Sequence, residues 1–128
     1  MINTVSKTIQ VDEEHLACAM GSGSLAVLAT PAVVALMENA AAALADEILA
    51  DDELTTVGTM ISIEHTSPTP IGAEVTATAR LTEHDGRVFR FEVTAADQKG
   101  EIARGTHQRV SVRAVKFQTK ADGKFDEI

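Results

Sequence analysis

The feature that most limits what this chain can become is the segment 31–50, PAVVALMENAAAALADEILA. It contains no glycine and is dominated by Ala, Leu and Met, the strongest helix formers, so it predicts one long helix. Thr30 is a suitable N-cap, and Pro31 then falls at the first helical position, where its missing N–H costs nothing. Apolar residues surround nearly the whole circumference of this helix. Such a helix needs burial on most sides, and one face of one sheet is too little cover. Glu38 interrupts that surface. At about 100° per residue its neighbours on the helix are Val34, Ala41, Ala42 and Ala45, whereas the polar stripe, Asn39, Asp46 and Glu47, lies elsewhere. An unpaired carboxylate on an apolar face is costly. It is suited to act as a general base or a nucleophile.

The remainder of the chain reads as strands. Residues 4–11 alternate, with Val5, Ile9 and Val11 on one side. Asp12 caps a short helix that ends near Met20, and Gly21-Ser22-Gly23-Ser24 breaks the chain. After the acidic loop Asp51-Asp52-Glu53 the period becomes two. Residues 55–66 place Val57, Ile61, Ile63 and His65 on one face, and residues 73–82 place Val75, Ala77, Ala79 and Leu81 together. His84-Asp85-Gly86-Arg87 is a hairpin signal, followed by a strand over 88–96 with Phe89, Phe91, Val93 and Ala95 inward. A second turn at Asp97–Gly100 leads to a last strand over 101–116, with a polar, flexible tail over 118–128.

At 128 residues, without repeat or linker, the expectation is a single domain over 1–128 of α+β class. Its antiparallel sheet wraps one long central helix, the hotdog arrangement. A second copy would complete the cover of the helix, which predicts a homodimer or a higher homo-oligomer.

Composition excludes several classes. With 3% aromatic residues and no Trp or Tyr there is no stacking platform for single-stranded nucleic acid. The net charge of −8 disfavours binding to a phosphate backbone, so no nucleic-acid partner is expected. Residues 1–79 carry net −10 and residues 80–128 net +2, so the cations available to an anionic ligand lie in the second half. Cys18 is the one cysteine, and the four histidines lack metal-ligand spacing, so neither a disulfide nor a metal is expected. No apolar leader opens the chain and no segment suits a membrane span, which makes a cytoplasmic protein the default. His65, at a strand end beside Ile61 and Ile63, is the histidine best placed for catalysis. His15 and His84 sit among charges, and His107 alternates with Arg109 on a mixed face.

Three blocks of sequence resemble the fluoroacetyl-CoA thioesterase-like branch of the hotdog superfamily. They are Val27-Leu28-Ala29-Thr30 running into Val34-Ala35-Leu36-Met37-Glu38, the stretch from Val57-Gly58-Thr59 through Ile63-Glu64-His65-Thr66 to Thr69-Pro70-Ile71-Gly72, and Gly105-Thr106-His107-Gln108-Arg109. The resemblance implies an acyl-CoA thioesterase with Thr30, Glu38 and His65 as catalytic set, and with CoA as part of the substrate rather than a cofactor. It places Gly58 beside the thioester and suggests Arg109, with Arg104 or Lys116, as contacts for the CoA phosphates. Two other readings stand beside it: a non-catalytic acyl-CoA sensor, and less favoured an enoyl-CoA hydratase. The fluoroacetyl-specific member carries a Phe in a lid ahead of its Thr. Here Met20–Ser24 has no aromatic residue, which predicts a different small acyl group.

Overall fold

The computed structural model describes residues 2–126. In chain order the elements are β1 (Thr4–Gln10), a 3-10 turn (Glu13–His15), α1 (Ala17–Met20), α2 (Thr30–Leu49), β2 (Leu54–His65), β3 (Glu74–Asp85), β4 (Val88–Asp97), β5 (Gly100–Arg113) and α3 (Ala114–Asp122). The five strands form one antiparallel sheet in the order β1-β3-β4-β5-β2. The sheet lies against α2, the arrangement of the hotdog fold.

The helix can lie close to the sheet because its inward residues are small. Ala40, Ala41 and Ala45 are completely buried with Val33, Met37 and Leu44. Against them stand Val75, Ala77 and Ala79 of β3 and Phe89, Phe91 and Val93 of β4, every one at most 1% exposed. Each fully buried Val, Leu or Phe contributes roughly 1.5–3 kcal/mol, so this layer dominates stability. The β3–β4 hairpin closes through Gly86 at φ +59°, where the Asp-Gly pair predicts it. Among the described residues no helix is long and apolar enough to cross a membrane.

Four local expectations need correction. The segment after Asp12 is a 3-10 turn and a separate short helix rather than one helix, although the Asp12 cap is present. The last strand stops at Arg113, and Ala114–Asp122 is helical where a strand end and a flexible tail are expected; residues 127–128 of that tail lie outside the described residues. The N-cap of α2 is Ala29, which puts Thr30 in the first turn and frees its hydroxyl for another partner.

The fourth correction shapes the site. The pairing of β2 with β5 shifts between Gly58 and Met60, so Thr59 is the extra residue of a β-bulge. Side chains alternate across a strand, and a bulge reverses the phase. Thr56 and Gly58 therefore share the helix-facing side with Ile61, Ile63 and His65, and Val57 is on the other side.

Candidate active site

The site is built in two parts, both along β2 and α2. The first lies at the start of the helix. His65 ends β2, and the chain beyond it is tied down where the backbone N–H groups of Thr66 and Ser67 donate to the Ile102 carbonyl. The hydroxyl of Thr30 and His65 Nδ1 are hydrogen-bonded at 2.8 Å. His65 Nε2 is buried and has no hydrogen-bond partner among the described residues. An orphaned buried ring nitrogen is rare, because desolvating it costs about 1–3 kcal/mol. His65 and Thr30 also belong to the lining of an open cleft of about 320 Å3, with Ala17, Ser22, Val27 and Pro68. This part can orient an imidazole and offer its free nitrogen for proton transfer.

The second part is centred on Glu38, two helical turns further on. Its side chain is half-buried and takes part in no hydrogen bond or ion pair found among the described residues. What it faces is an absence: a Cβ placed on Gly58 would lie 3.3 Å from Glu38 Oε2, 3.3 Å from His107 Cε1 and 3.4 Å from Arg109 Nη1. The missing side chain thus leaves a small space bounded by a carboxylate, an imidazole edge and a guanidinium. Arg109 is 8% exposed, and all its bonds go to neutral acceptors: Nε donates to Thr56 Oγ1 (2.8 Å), Nη2 to the Thr56 carbonyl (2.9 Å) and Nη1 to His107 Nε2 (3.2 Å). Burial lowers its pKa, while Glu38 and Asp46 of α2 act in the opposite sense. With no carboxylate in direct contact, its positive field extends into the space over Gly58. Such a space can receive a carbonyl that becomes an oxyanion.

Thr30 is joined to His65, and Glu38 is gathered with Gly58 and Arg109; no side-chain hydrogen bond or ion pair among the described residues links the two groups. Arg109 is not on the surface where a CoA phosphate would meet it, because its donors point into the fold. Arg104 is exposed and held by Glu101 through two bonds of 2.7 and 2.8 Å, and Lys116 is exposed on α3. His107 is 1% exposed and points inward with Arg109, so the expected mixed face is a buried one. The pattern Gly-x-His-x-Arg from Gly105 would have marked this pair only if the opposing glycine, Gly58, had been read with it. A cluster of metal-ligand types at Asp12, Glu14 and His15 belongs to the capping network of the 3-10 turn.

Residues 11–115 match the family described as fluoroacetyl-CoA-specific thioesterase. The fluoroacetyl-CoA thioesterase of Streptantibioticus cattleyicolor is 39% identical over 94 residues, which span 73% of this chain and 67% of that protein. A crystal structure of a single-residue variant of a fluoroacetyl-CoA-specific thioesterase superposes with a TM-score of 0.87 at 30% identity, over 97% of each chain. A hot-dog-like protein from Thermanaerovibrio acidaminovorans, with a TM-score of 0.83 at 20% identity, covers 95% of this chain and 90% of its own and speaks for the fold alone. The chain belongs to the fluoroacetyl-CoA-specific thioesterase family and is a hydrolase of CoA thioesters.

Proposed function

We propose that this enzyme hydrolyses the CoA thioester of a small acyl group, with Thr30, Glu38 and His65 as its catalytic residues. The observation that carries the reading is the unpaired Glu38 carboxylate facing the empty position at Gly58, with the Arg109 guanidinium behind it. The thioester carbonyl lies over Gly58. Glu38 takes a proton from water as the water oxygen attacks the carbonyl carbon, or attacks that carbon itself to form an anhydride that water then opens. Single turnover in 18O-water leaves 18O in Glu38 only by the second route with water attacking the Glu38 carbonyl, and hydroxylamine trapping of the anhydride detects that route when water attacks the acyl carbonyl instead. Negative charge on the carbonyl oxygen is met by the Gly58 backbone and the field of Arg109. Collapse breaks the C–S bond and expels the CoA thiolate, and His65, oriented by Thr30, assists the proton transfers. No step calls on a cofactor, the CoA being part of the substrate.

The two parts of the site complete each other in a homodimer. β2 is an edge strand, Met60 on it is 46% exposed, and Val34 and Ala42 flank Glu38 half-buried on the helix. A second copy along this edge covers those residues and supplies an environment for His65 Nε2. For the CoA phosphates, Lys116 is a cation with no ion pair among the described residues and Arg104 one that must release Glu101; Arg109 serves the thioester instead.

The lack of an aromatic residue in Met20–Ser24 points away from fluoroacetyl, and the similarity to fluoroacetyl-CoA thioesterases points toward it. The similarity extends over most of the chain, which makes fluoroacetyl-CoA the first candidate. Thiol release from fluoroacetyl-, acetyl-, propionyl-, branched and aryl-CoA tests this. A kcat/KM at least about tenfold higher for fluoroacetyl-CoA than for acetyl-CoA is expected, a discrimination of about 1.4 kcal/mol. Equal values would remove the fluoroacetyl assignment, and several bound but unhydrolysed thioesters would favour an acyl-CoA sensor.

A further inference from the structure

The bulge that turns Gly58 toward α2 is held from the neighbouring strand. A β-bulge leaves backbone groups outside the ladder, and buried ones must find other partners. The Met60 carbonyl, just past the bulge, accepts from His107 Nδ1 at 2.8 Å. The Thr56 carbonyl, two residues before Gly58, accepts from Arg109 Nη2 at 2.9 Å. The Thr59 hydroxyl donates to the Gln108 carbonyl (3.2 Å) and accepts from Gln108 Nε2 (3.1 Å). Side chains of β5 thus grip β2 on both sides of Gly58, and Arg109 Nη1 links the two grips by donating to His107 Nε2.

These partners dictate the protonation of the imidazole. A carbonyl can only accept, so Nδ1 carries the proton; a guanidinium can only donate, so Nε2 presents its lone pair. His107 fills its place only as the neutral Nδ1–H tautomer. A second proton would set N–H against N–H and cation against cation. Burial and Arg109 hold the ring below its ordinary pKa, against the pull of the Met60 carbonyl and Glu38. The charged groups that bear on this pair are Glu38 and, toward Arg109, Asp46, both from α2. β4 contributes the Phe91 ring at 6.1 Å, and β2 the uncharged residues Thr56, Gly58, Met60 and Ile61.

We propose that His107 is a positioning residue for the hydrolysis, tying Arg109 to the bulge so that the guanidinium, the Gly58 backbone and the Glu38 carboxylate hold one geometry around the thioester. The inference rests on the reading of Glu38 and Gly58 as the reaction centre. A purely structural core residue in this place needs only shape; here each ring nitrogen is specified by a partner, and both partners lead to Gly58.

The test is steady-state kinetics on His107→Asn and His107→Gln, with thermal melts. Asn keeps a donor at the height of Nδ1 and loses the acceptor for Arg109; Gln does the reverse. Each is expected to lower kcat roughly 10- to 100-fold, the scale of a misplaced reacting group, with KM changed less than about threefold. The variant Arg109→Met separates positioning from general weakening. If His107 acts through Arg109, His107→Asn/Arg109→Met is about as slow as Arg109→Met alone. Multiplicative losses in the double variant, or a normal kcat in either folded single variant, would overturn the inference. A Glu38→Gln enzyme of normal activity would instead sink the underlying site assignment, so the two failures are told apart. Should neither His107 variant fold, hydrogen–deuterium exchange on the wild-type protein decides. After correction for the slower intrinsic exchange at lower pH, protection over residues 56–60 must fall between pH 7 and pH 5 more than that of β3, and an equal fall in both, or none, overturns the proposal.

Discussion

Gly58→Ala tests whether the space between Glu38, His107 and Arg109 is where the reaction occurs. The added methyl carbon would stand 3.3–3.4 Å from an atom of each. Carbon contacts are best at about 3.5–4.0 Å, so something must move by a few tenths of an ångström. The imidazole is bonded on both sides and the guanidinium through three nitrogens, whereas the carboxylate is bonded to nothing found in the protomer. Glu38 is therefore the group that gives way. Overpacking by one methyl costs about 1 kcal/mol at the low end of its range. Alanine regains roughly 0.5–1 kcal/mol over glycine in a strand. The two nearly cancel, and Tm should move by less than about 5 °C. Activity has no such compensation. If Glu38 is the base and the carbonyl lies over Gly58, the methyl displaces the one and fills the place of the other, and a loss of roughly 100-fold or more in kcat/KM is expected.

Gly105→Ala is the control on the same sheet. A Cβ there would run into the Ser62 carbonyl oxygen and lie 2.7 Å from Ile63 Cα, main-chain atoms that cannot turn aside. The β2–β5 ladder would have to open, at a cost of about 3 kcal/mol or more. Melting curves and thiol-release kinetics on the two variants should then separate: Gly58→Ala folded and slow, Gly105→Ala destabilised. A Gly58→Ala enzyme within about threefold of wild-type kcat/KM would refute the placement of the thioester. A Tm as low as that of Gly105→Ala would show that Gly58 answers to packing.

Two further outcomes are expected. Glu38→Gln should lower kcat at least about 100-fold, the scale of a lost acid–base group. Mixed with His65→Asn in co-expressed dimers it should regain activity, because a site shared between protomers leaves one wild-type site in each heterodimer; no regain would place each site within one protomer. Stability should also depend on pH through His107, whose folded pKa lies below the ordinary 6.5. Between those two values the unfolded chain binds more protons, so stability present above pH 6.5 is lost as pH falls through that window. Melts from pH 7.5 to 4.5 should show this slope reduced in His107→Gln, and an unchanged slope would assign it to other groups.

The parts of the fold legible in sequence were those governed by one element at a time. Residues 31–50 announced a helix through composition, and Phe89, Phe91, Val93 and Ala95 announced their inward face through period two. Glu38 was visible because the helix repeat put a carboxylate among alanines. Thr30 was legible as a residue but not in its role, since a hydroxyl in the first turn can cap the helix or bond elsewhere, and only the proximity of His65 decides. The bulge at Thr59 was illegible, because one inserted residue changes pairing without changing composition. From it follows the side taken by Val57, whereas the inward placement of His107 and Arg109 belongs to β5, whose own phase shifts at Ile102, the residue skipped in its pairing with β4. Ala114–Asp122 reads as polar strand and tail because its exposed side chains bury nothing that periodicity could detect.

The burial of Arg109 ties these points together. A guanidinium taken out of water without a carboxylate in contact is among the costlier arrangements in a protein interior, and a hydrophobic residue in the same volume often serves stability as well or better. Here the neutral partners Thr56 and His107 fix its orientation while leaving its charge uncancelled. The carboxylate nearest to the cluster is on the far side of the space over Gly58, close enough to raise the pKa of Arg109 but not bonded to it. A direct Glu38–Arg109 ion pair would be cheaper for the fold, and it would neutralise both groups. Holding the two apart, across a position where the chain has no side chain, keeps a carboxylate and a cation on opposite sides of one small volume. A thioester carbonyl on its way to a tetrahedral oxyanion needs that polarity: a base toward the attacking water, a positive charge toward the oxygen. The bulge, the glycine and the two inward side chains of β5 are the means by which this sheet maintains it.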